Sequence, residues 1–235
     1  MEIICHMMTS VDGRGDTEAF TPVATDLKDV YVQTALKLGA QGFIFGHRAL
    51  ARQYPELVTQ AEPMAGVKTT HVTAFKGECE GKRLCVVLDT TGRLHYKANT
   101  LPTGEHIVVI LGSHVTRAYQ QELEALGIGY IVRTPSTLAE ETASALQQVQ
   151  THFGADKLLL AGGATTIGSF MHMQLVKQLS VLIAPAVDGR SGVGQVIGFS
   201  DSHSENPMQG QCLELAGVEK LAGGVIWARY DVMPV

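Results

Sequence analysis

The sequence predicts an α/β fold with a mostly parallel central sheet, helices on both faces and an antiparallel hairpin at the C-terminus. Short β-rich segments alternate with amphipathic helical segments along most of the chain, an order that is typical of parallel sheets covered by helices. The chain has 235 residues, of which 45% are hydrophobic, and this suffices for one full core. We therefore expect a single domain over residues 1–235.

Seven segments have the short, aliphatic and β-branched composition of buried strands. In chain order they are Ile3–Met8, Gly42–Phe45, Arg83–Leu88, His106–Leu111, Gly129–Val132, Lys157–Leu160 and Leu179–Ala184. Two further strands, Cys212–Leu221 and Val225–Val232, are separated by Gly223 and Gly224. This last pattern indicates an antiparallel hairpin at the edge of the sheet.

Three segments have apolar residues at helical spacing and stop at a glycine, which commonly ends a helix. They are Thr25–Leu38 before Gly39, His114–Leu126 before Gly127 and Leu138–Phe153 before Gly154. Residues 55–80 are interrupted by proline and glycine, and residues 188–211 are rich in Gly, Ser, Asp and Asn. We expect both of these stretches to be surface loops.

Composition limits the classes of partner. The formal net charge of −5, without any run of Lys or Arg, argues against nucleic acid. No apolar stretch approaches the length of a membrane span, and the first residues lack a basic export leader, so we expect a cytoplasmic protein without a membrane partner. The four cysteines form no Cys-x-x-Cys pair and the nine histidines are scattered, so we expect reduced thiols and no metal site.

The strongest local motif lies where the sixth predicted strand runs through two glycines into a helical pattern. Such a junction presents free backbone N–H groups at the positive end of a helix dipole, which is what a phosphate requires. The glycines allow close approach, and the threonines can add hydroxyl donors. The segment comprises Gly162, Gly163, Ala164, Thr165 and Thr166. It favours pyrophosphate binding, although a plain strand-to-helix turn would have the same pattern.

Two familiar phosphate-binding loops do not fit this sequence. Gly163 and Gly168 have the spacing of a Walker A loop, but Ser169 and Phe170 follow where Lys and Ser or Thr are required. No Gly-x-Gly-x-x-Gly follows the first strand either. Kinase-like and Rossmann-type sites are therefore excluded.

Polar residues follow the first predicted strand, in the run Thr9-Ser10-Val11-Asp12-Gly13. Open α/β sheets place ligands at the carboxyl ends of their strands, so Thr9, Ser10 and Asp12 are candidate site residues. An ordinary Asp-Gly turn explains the same residues without any ligand.

A second polar run, Asp89-Thr90-Thr91-Gly92-Arg93, follows the strand that ends at Leu88. Thr90 and Arg93 could hold a ribose 2′-phosphate, because hydroxyl and guanidinium groups pair well with a phosphate dianion. A hairpin turn is the alternative, and His114–Arg117 is a second candidate for the phosphate contact.

These motifs, in this order, resemble the reductase domain of bifunctional riboflavin biosynthesis enzymes and its stand-alone relatives, which have a dihydrofolate-reductase-like fold. The resemblance extends from about Ile3 to Tyr230. The matching motifs are the Ser-x-Asp-Gly at Ser10–Gly13, the Val-x-Leu-Asp at Val86–Asp89, the Gly162-Gly163 helix start, Ser169-Phe170 with Leu175-Val176, and Ile183-Ala184-Pro185 with Gly189.

The resemblance implies a three-layer α/β/α reductase that forms a homodimer and transfers hydride from NADPH to the ribose carbon of a phosphoribosylamino-pyrimidine. Residues Gly163 to Ser169 would hold the pyrophosphate of the cofactor, and Thr90 would lie near the adenosine. Gly46, which aligns with the glycine of the family's Gly-Arg motif, would also contact the cofactor. Ser10 and Asp12 would line the place where nicotinamide meets substrate. We expect no dedicated nucleophile, since hydride transfer requires mainly alignment and charge stabilisation.

Two departures from the family pattern lie in the part that would bind substrate. Gln60 stands where the family has an arginine for the substrate phosphate, and Ala161 stands where it has the glutamate of Glu-Gly-Gly. Each lost charge-assisted hydrogen bond is worth about 1.5–3 kcal/mol. Three functions remain open: a reductase of another small heterocyclic or carbonyl acceptor, the riboflavin reductase with Arg48 or Arg52 as replacement, and a non-catalytic NADPH sensor.

Overall fold

A computed structural model describes residues 1–62, 73–79, 81–134, 136–199 and 206–235. The chain forms two compact units. The first unit consists of Met1 and Gln41–Leu158, and the second consists of Glu2–Ala40 and Leu159–Val235. The assignment of all 235 residues to a single domain stays a prediction.

The secondary structure alternates between strands and helices, as the sequence predicts. The strands are β1 (Glu2–Thr9), β2 (Gly42–Gly46), β3 (Val58–Gln60), β4 (Ala74–Phe75), β5 (Leu84–Leu88), β6 (Leu94–Tyr96), β7 (His106–Leu111), β8 (Gly129–Val132), β9 (Lys157–Gly162), β10 (Gln178–Ile183), β11 (Gln211–Lys220) and β12 (Ile226–Pro234). The helices are α1 (Leu27–Lys37), α2 (His47–Gln53), α3 (Arg117–Ala125), α4 (Leu138–Phe153) and α5 (Ala164–His172).

The first unit is built on four parallel strands in the order β2, β5, β7 and β8, with β4 antiparallel at the edge. Every residue of β7 is buried, which is why its sequence is a continuous run of aliphatic residues after His106. Helices α3 and α4 pack against β8. Strands β3 and β6 form a separate antiparallel pair.

The second unit contains β1 parallel to β10, followed by the antiparallel strands β12 and β11 at the edge. Strand β9 is the other neighbour of β1. Met8, Leu182 and Trp227 share one face of the sheet and form a buried cluster with Val30 of α1. The predicted α/β class, with a mostly parallel sheet and an antiparallel C-terminal hairpin, is confirmed.

Several predicted boundaries changed for identifiable reasons. Helix α3 begins at Arg117 rather than His114, because the Thr116 side chain accepts a hydrogen bond from the backbone N–H of Tyr119 and caps the helix there. Helix α2 was not predicted. Residues 55–80 were expected to be a loop, but they contain β3 and β4. Residues 63–72 and 80 of this stretch, and 200–205 of the other predicted loop, lie outside the described residues.

A buried hydrogen-bond chain links β1, β10 and β12 in the second unit. The indole N–H of Trp227 donates to the Ser180 hydroxyl at 2.7 Å, so the hydroxyl proton is directed to Nδ1 of His6, at 2.9 Å. Nε2 of His6 therefore carries the ring proton and donates to the Tyr31 carbonyl at 3.2 Å. Burial of the ring disfavours the charged form of His6.

We expect the stability of the protein to fall as the pH drops from about 6.5 to about 4. Burial lowers the pKa of His6 from 6.5 to about 4, so the unfolded chain binds more protons in this window. The stabilisation is complete above pH 6.5, and its loss amounts to about 3 kcal/mol. Burial also lowers the pKa of His106 to about 4, which acts in the same direction.

Urea unfolding at several pH values measures this dependence. His6→Gln should reduce the slope of unfolding free energy against pH between 6.5 and 4 by up to about 1.4 kcal/mol per pH unit, since one titrating group is lost. Equal slopes for the two proteins would contradict the assignment to His6.

Candidate functional site

The candidate site residues of the first unit lie at the carboxyl edge of its parallel strands. Gly46 ends β2 opposite Leu88, and Leu88 is opposite Ile110 of β7. The backbone N–H of Gly112, just after β7, donates to the Thr90 carbonyl at 3.0 Å. A Cβ on Gly112 would lie 2.4 Å from that oxygen, so only glycine allows this approach. Gly46 and Thr90 therefore share one edge of the sheet.

Asp89 shapes the turn that carries Thr90 and Arg93. The side chain is fully buried, and its Oδ2 accepts a hydrogen bond from the backbone N–H of Leu94 at 2.8 Å. Its carbonyl accepts from Gly92 at 3.3 Å, and its own N–H donates to the Ile110 carbonyl at 3.2 Å. This role of Asp89 was not predicted from the sequence. The signal was available, because an aspartate followed three residues later by glycine is typical of a side-chain-supported turn.

Thr90 and Arg93 are two predicted site residues whose polar side-chain atoms have no partner among the described residues. Both residues are half-buried, and within the described part of the chain neither side chain makes a hydrogen bond or ion pair. The structure does not favour His114–Arg117 as the alternative site of the phosphate contact. The Arg117 guanidinium already donates two hydrogen bonds to the Glu124 carboxylate, at 2.6 and 2.8 Å.

In the second unit, the predicted strand–glycine–helix junction is present. Strand β9 ends at Gly162, and Gly163 joins it to α5. Gly163 has φ of 82° and ψ of 116°, a backbone conformation that residues other than glycine rarely adopt. The first turn of α5 holds no acidic residue, and its N-cap residue, Gly163, has no side chain to cap it. The N–H groups of this turn lack carbonyl partners in their own helix and can receive an anion.

The residues after β1 form a tight turn. Thr9 and Ser10 are both buried, and the Thr9 hydroxyl donates to the Ser10 carbonyl at 3.1 Å. The Ser10 hydroxyl accepts a hydrogen bond from the Arg14 backbone N–H at 3.0 Å. These hydroxyls therefore support the turn itself.

Asp12, the other predicted catalytic residue, is held by backbone N–H groups and by the Ser10 hydroxyl. Its carboxylate accepts hydrogen bonds from the N–H groups of Asp188 at 3.1 Å and Gly189 at 2.9 Å. The pKa of Asp12 is held well below its usual range, first by a hydrogen bond from the Ser10 hydroxyl and then by these two N–H groups. Asp12 is therefore an anion at neutral pH, and proton donation by it has no support in this geometry.

Residues 188–198, which we call the bridging segment, bring the two candidate site motifs of the second unit together. The N–H of Val196 donates to the Gly13 carbonyl at 3.2 Å, and the N–H of Gly198 donates to the Ala164 carbonyl at 3.1 Å. The turn after β1 and the first turn of α5 are thus joined through three consecutive residues of one segment. Sequence reasoning missed this role, as it also missed Arg14, whose guanidinium donates to the Val193 carbonyl.

Two negative findings concern the described residues only. In that part of the chain, no group of three or more His, Cys, Asp or Glu side chains could hold a metal ion. Among the same residues, no helix has the length and apolar character needed to cross a membrane.

The model of the RibD C-terminal domain family matches residues 1–227. The chain belongs to this family. No curated protein matches the sequence. Gln60 and Ala161 are the two residues at which the sequence departs from the family motifs that it resembles. Gln60 ends β3 and is exposed, while Ala161 lies half-buried in β9.

Solved structures with a similar fold include reductase-like proteins. A pyrimidine reductase-like protein from Corynebacterium diphtheriae has a TM-score of 0.65 and 18% identity, over 100% of this chain and 92% of that one. RibD of Acinetobacter baumannii has a TM-score of 0.62 and 20% identity, over 99% of this chain but 58% of its own length. The riboflavin biosynthesis reductase Rib7 of Saccharomyces cerevisiae has a TM-score of 0.61 and 10% identity, over 99% and 90%. At these identities the similarity shows a shared fold.

Proposed function

We propose that this protein is an NADPH-dependent reductase of a small-molecule acceptor, such as a pyrimidine- or pteridine-type compound. The observation that carries the proposal is the junction at Gly163, where a strand leads through a glycine into an uncapped helix N-terminus. A dinucleotide pyrophosphate requires this combination of close backbone approach and unpaired N–H groups. Family membership supports the same assignment.

The residues present fit the cofactor. The first turn of α5 carries Thr165, an exposed hydroxyl, and no carboxylate that would repel a phosphate. In the first unit, the Arg93 guanidinium, which has no partner among the described residues, and the Thr90 hydroxyl are suited to the 2′-phosphate that distinguishes NADPH from NADH. We assign these residues to the cofactor, together with Thr9, Gly46, Gly162, Gly163, Ala164 and Thr166.

NADPH, when bound, supplies the hydride, and the chain supplies alignment. The carboxylates of Asp12 and Asp89 each accept backbone N–H bonds, so each holds its own loop in shape rather than moves protons. The Ser10 hydroxyl is likewise engaged in its turn. We therefore propose that the proton that accompanies hydride transfer comes from solvent or from the acceptor itself.

We expect NADPH to bind at least about tenfold more tightly than NADH, because a charge-assisted contact from Arg93 to the 2′-phosphate has no counterpart in NADH. Fluorescence titration of the protein with each cofactor measures the ratio. Arg93→Gln serves as the matched control and should bring the two affinities close together. Equal affinities for the wild-type protein would refute the assignment of NADPH.

Two other functions can be distinguished from the proposed one by experiment. The first is reduction of 5-amino-6-(5-phosphoribosylamino)uracil, the riboflavin precursor, and the second is NADPH sensing without catalysis. NADPH oxidation with a panel of heterocyclic and carbonyl acceptors separates a reductase from a sensor. Complementation of a riboflavin auxotroph identifies the precursor reductase.

We further propose that the protein forms a homodimer through the outer face of β11 and β12. Leu213, Leu215 and Val218 lie on this face and are 50–57% exposed, and β11 is the edge strand of the second unit. Their partners on β12 are Val232, Tyr230 and Ala228, so the shared face is apolar apart from Lys220 at its end. A charge-depleted apolar face suits a second copy of the same face. Leu215→Lys should convert a dimer to a monomer in analytical ultracentrifugation, and a wild-type monomer would exclude the interface.

A further inference from the structure

We infer that Asp12 is a positioning residue that fixes the first turn of α5 through the bridging segment, and thereby sets the affinity for NADPH. The inference rests on the proposed cofactor site at that turn. It gives Asp12 a function at a distance, in place of the direct role beside the nicotinamide that the family resemblance implies.

The series of contacts from Asp12 to α5 begins at the Asp12 carboxylate. It accepts hydrogen bonds from both N–H groups at the start of the bridging segment, that of Asp188 at 3.1 Å and that of Gly189 at 2.9 Å. Asp12 is exposed, yet its pKa is held low by the Ser10 hydroxyl and these N–H groups, so the charge persists at neutral pH. Hydrogen bonds that a charged carboxylate accepts are roughly twice as strong as neutral ones.

The middle of the bridging segment is fixed to the same turn. The Arg14 guanidinium donates to the Val193 carbonyl, and the N–H of Val196 donates to the Gly13 carbonyl at 3.2 Å. A Cβ on Gly15 would lie 3.2 Å from the Val196 side chain, so the turn and the segment are in close contact. The segment therefore follows any movement of the turn that contains Asp12.

The far end of the bridging segment lies directly on α5. The N–H of Gly198 donates to the carbonyl of Ala164, the first residue of the helix, at 3.1 Å. One turn later, a Cβ on Gly168 would lie only 2.0 Å from the Gly198 carbonyl oxygen. The contact thus requires glycine at position 168, and it covers both the first turn and the middle of the helix.

A helix N-terminus binds an anion only while its N–H groups converge on one point, and a shift of about 1 Å can be costly in a preorganised site. Since the bridging segment is fixed at one end by Asp12 and rests on α5 at the other, releasing either end should loosen the first turn. Asp12 and Gly168 should then give the same phenotype, although they lie 156 residues apart in the sequence.

The test compares Asp12→Asn with Gly168→Ala in the full-length protein. Asparagine keeps one acceptor oxygen but loses the charge, and alanine pushes the Gly198 carbonyl away while favouring the helix by up to about 1 kcal/mol. Asp16→Asn is the control, because it removes the charge from one exposed contact of Arg190, which keeps its bonds to Asp188. Hydrogen exchange of α5 and fluorescence titration with NADPH are the readouts.

We expect both variants to exchange faster in the first turn of α5 and to bind NADPH about tenfold more weakly, while Asp16→Asn behaves as wild type. For any acceptor that the wild type reduces, KM for NADPH should rise while kcat stays within about threefold. Normal exchange and normal affinity in Asp12→Asn would overturn the inference, as would a loss of kcat with affinity kept. Failure of the wild type to bind NADPH would instead refute the proposed function, and the exchange data would still decide whether Asp12 holds the helix.

Discussion

Thr165→Glu should weaken NADPH binding roughly thirtyfold without destabilising the protein. Thr165 is exposed in the first turn of α5, where the proposed pyrophosphate site lies. A carboxylate about 7 Å from a phosphate charge costs about 2 kcal/mol at an effective dielectric constant near 20. The same carboxylate stabilises a helix N-terminus by about 0.3–1 kcal/mol, so folding and binding should change in opposite directions.

Thr165→Gln is the matched control, because glutamine has nearly the same shape as glutamate but no charge. This variant should bind NADPH almost as the wild type does. Affinity comes from fluorescence titration and stability from urea unfolding. If Thr165→Glu binds NADPH with wild-type affinity, the helix start is only a turn. The more obvious substitution, Gly163→Val, is less informative, because Gly163 has φ of 82° and valine would strain the backbone as well as block the site.

Activity on 5-amino-6-(5-phosphoribosylamino)uracil should be weak or absent, with kcat/KM far below about 10⁴ M⁻¹s⁻¹. Gln60 and Ala161 stand where the family pattern has an arginine and a glutamate, and two missing charge-assisted hydrogen bonds would cost about 3–6 kcal/mol together. The assay measures NADPH oxidation by the unmodified protein with the authentic precursor. Efficient turnover would show that Arg48, Arg52 or another group replaces the lost contacts.

The double substitution Gln60→Arg with Ala161→Glu tests whether these positions correspond to the family's. It should raise the affinity for the precursor, and each single substitution should have a smaller effect. Ala161 is half-buried in β9, so the new carboxylate should also lower stability somewhat. Unchanged affinity in a folded double variant would show that the positions do not correspond.

Local sequence patterns predicted the elements whose boundaries have local causes. Helix α4 has the predicted limits, because Thr137 and Glu140 form a capping box at its start and Gly154 takes a left-handed conformation at its end. The junction at Gly163 was predicted for the same reason, since strand, glycine and helix are consecutive in the chain. Helix α2 was missed because seven residues are too few for a clear helical period.

Contacts between distant segments could not be predicted in this way. The Asp12 carboxylate meets backbone N–H groups 176 and 177 residues further along the chain, and no local pattern identifies such partners. From the sequence, the Asp12-Gly13 pair is equally a turn or a site. The requirement for glycine at 168 is likewise invisible, because it arises from the Gly198 carbonyl that lies against the helix.

The partners of Asp12 and Asp89 are main-chain N–H groups, which has a consequence for redesigning the protein. Because every residue except proline offers the same N–H, the side chains at positions 188, 189 and 94 are not needed for these anchoring bonds. A mutant library that varies exposed residues in these loops should therefore retain the loop conformations, provided that Asp12, Asp89, the buried Leu94 and the left-handed glycines Gly13, Gly92 and Gly189 are kept and proline is omitted. Such a library could change which compounds the protein accepts while its scaffold stays the same.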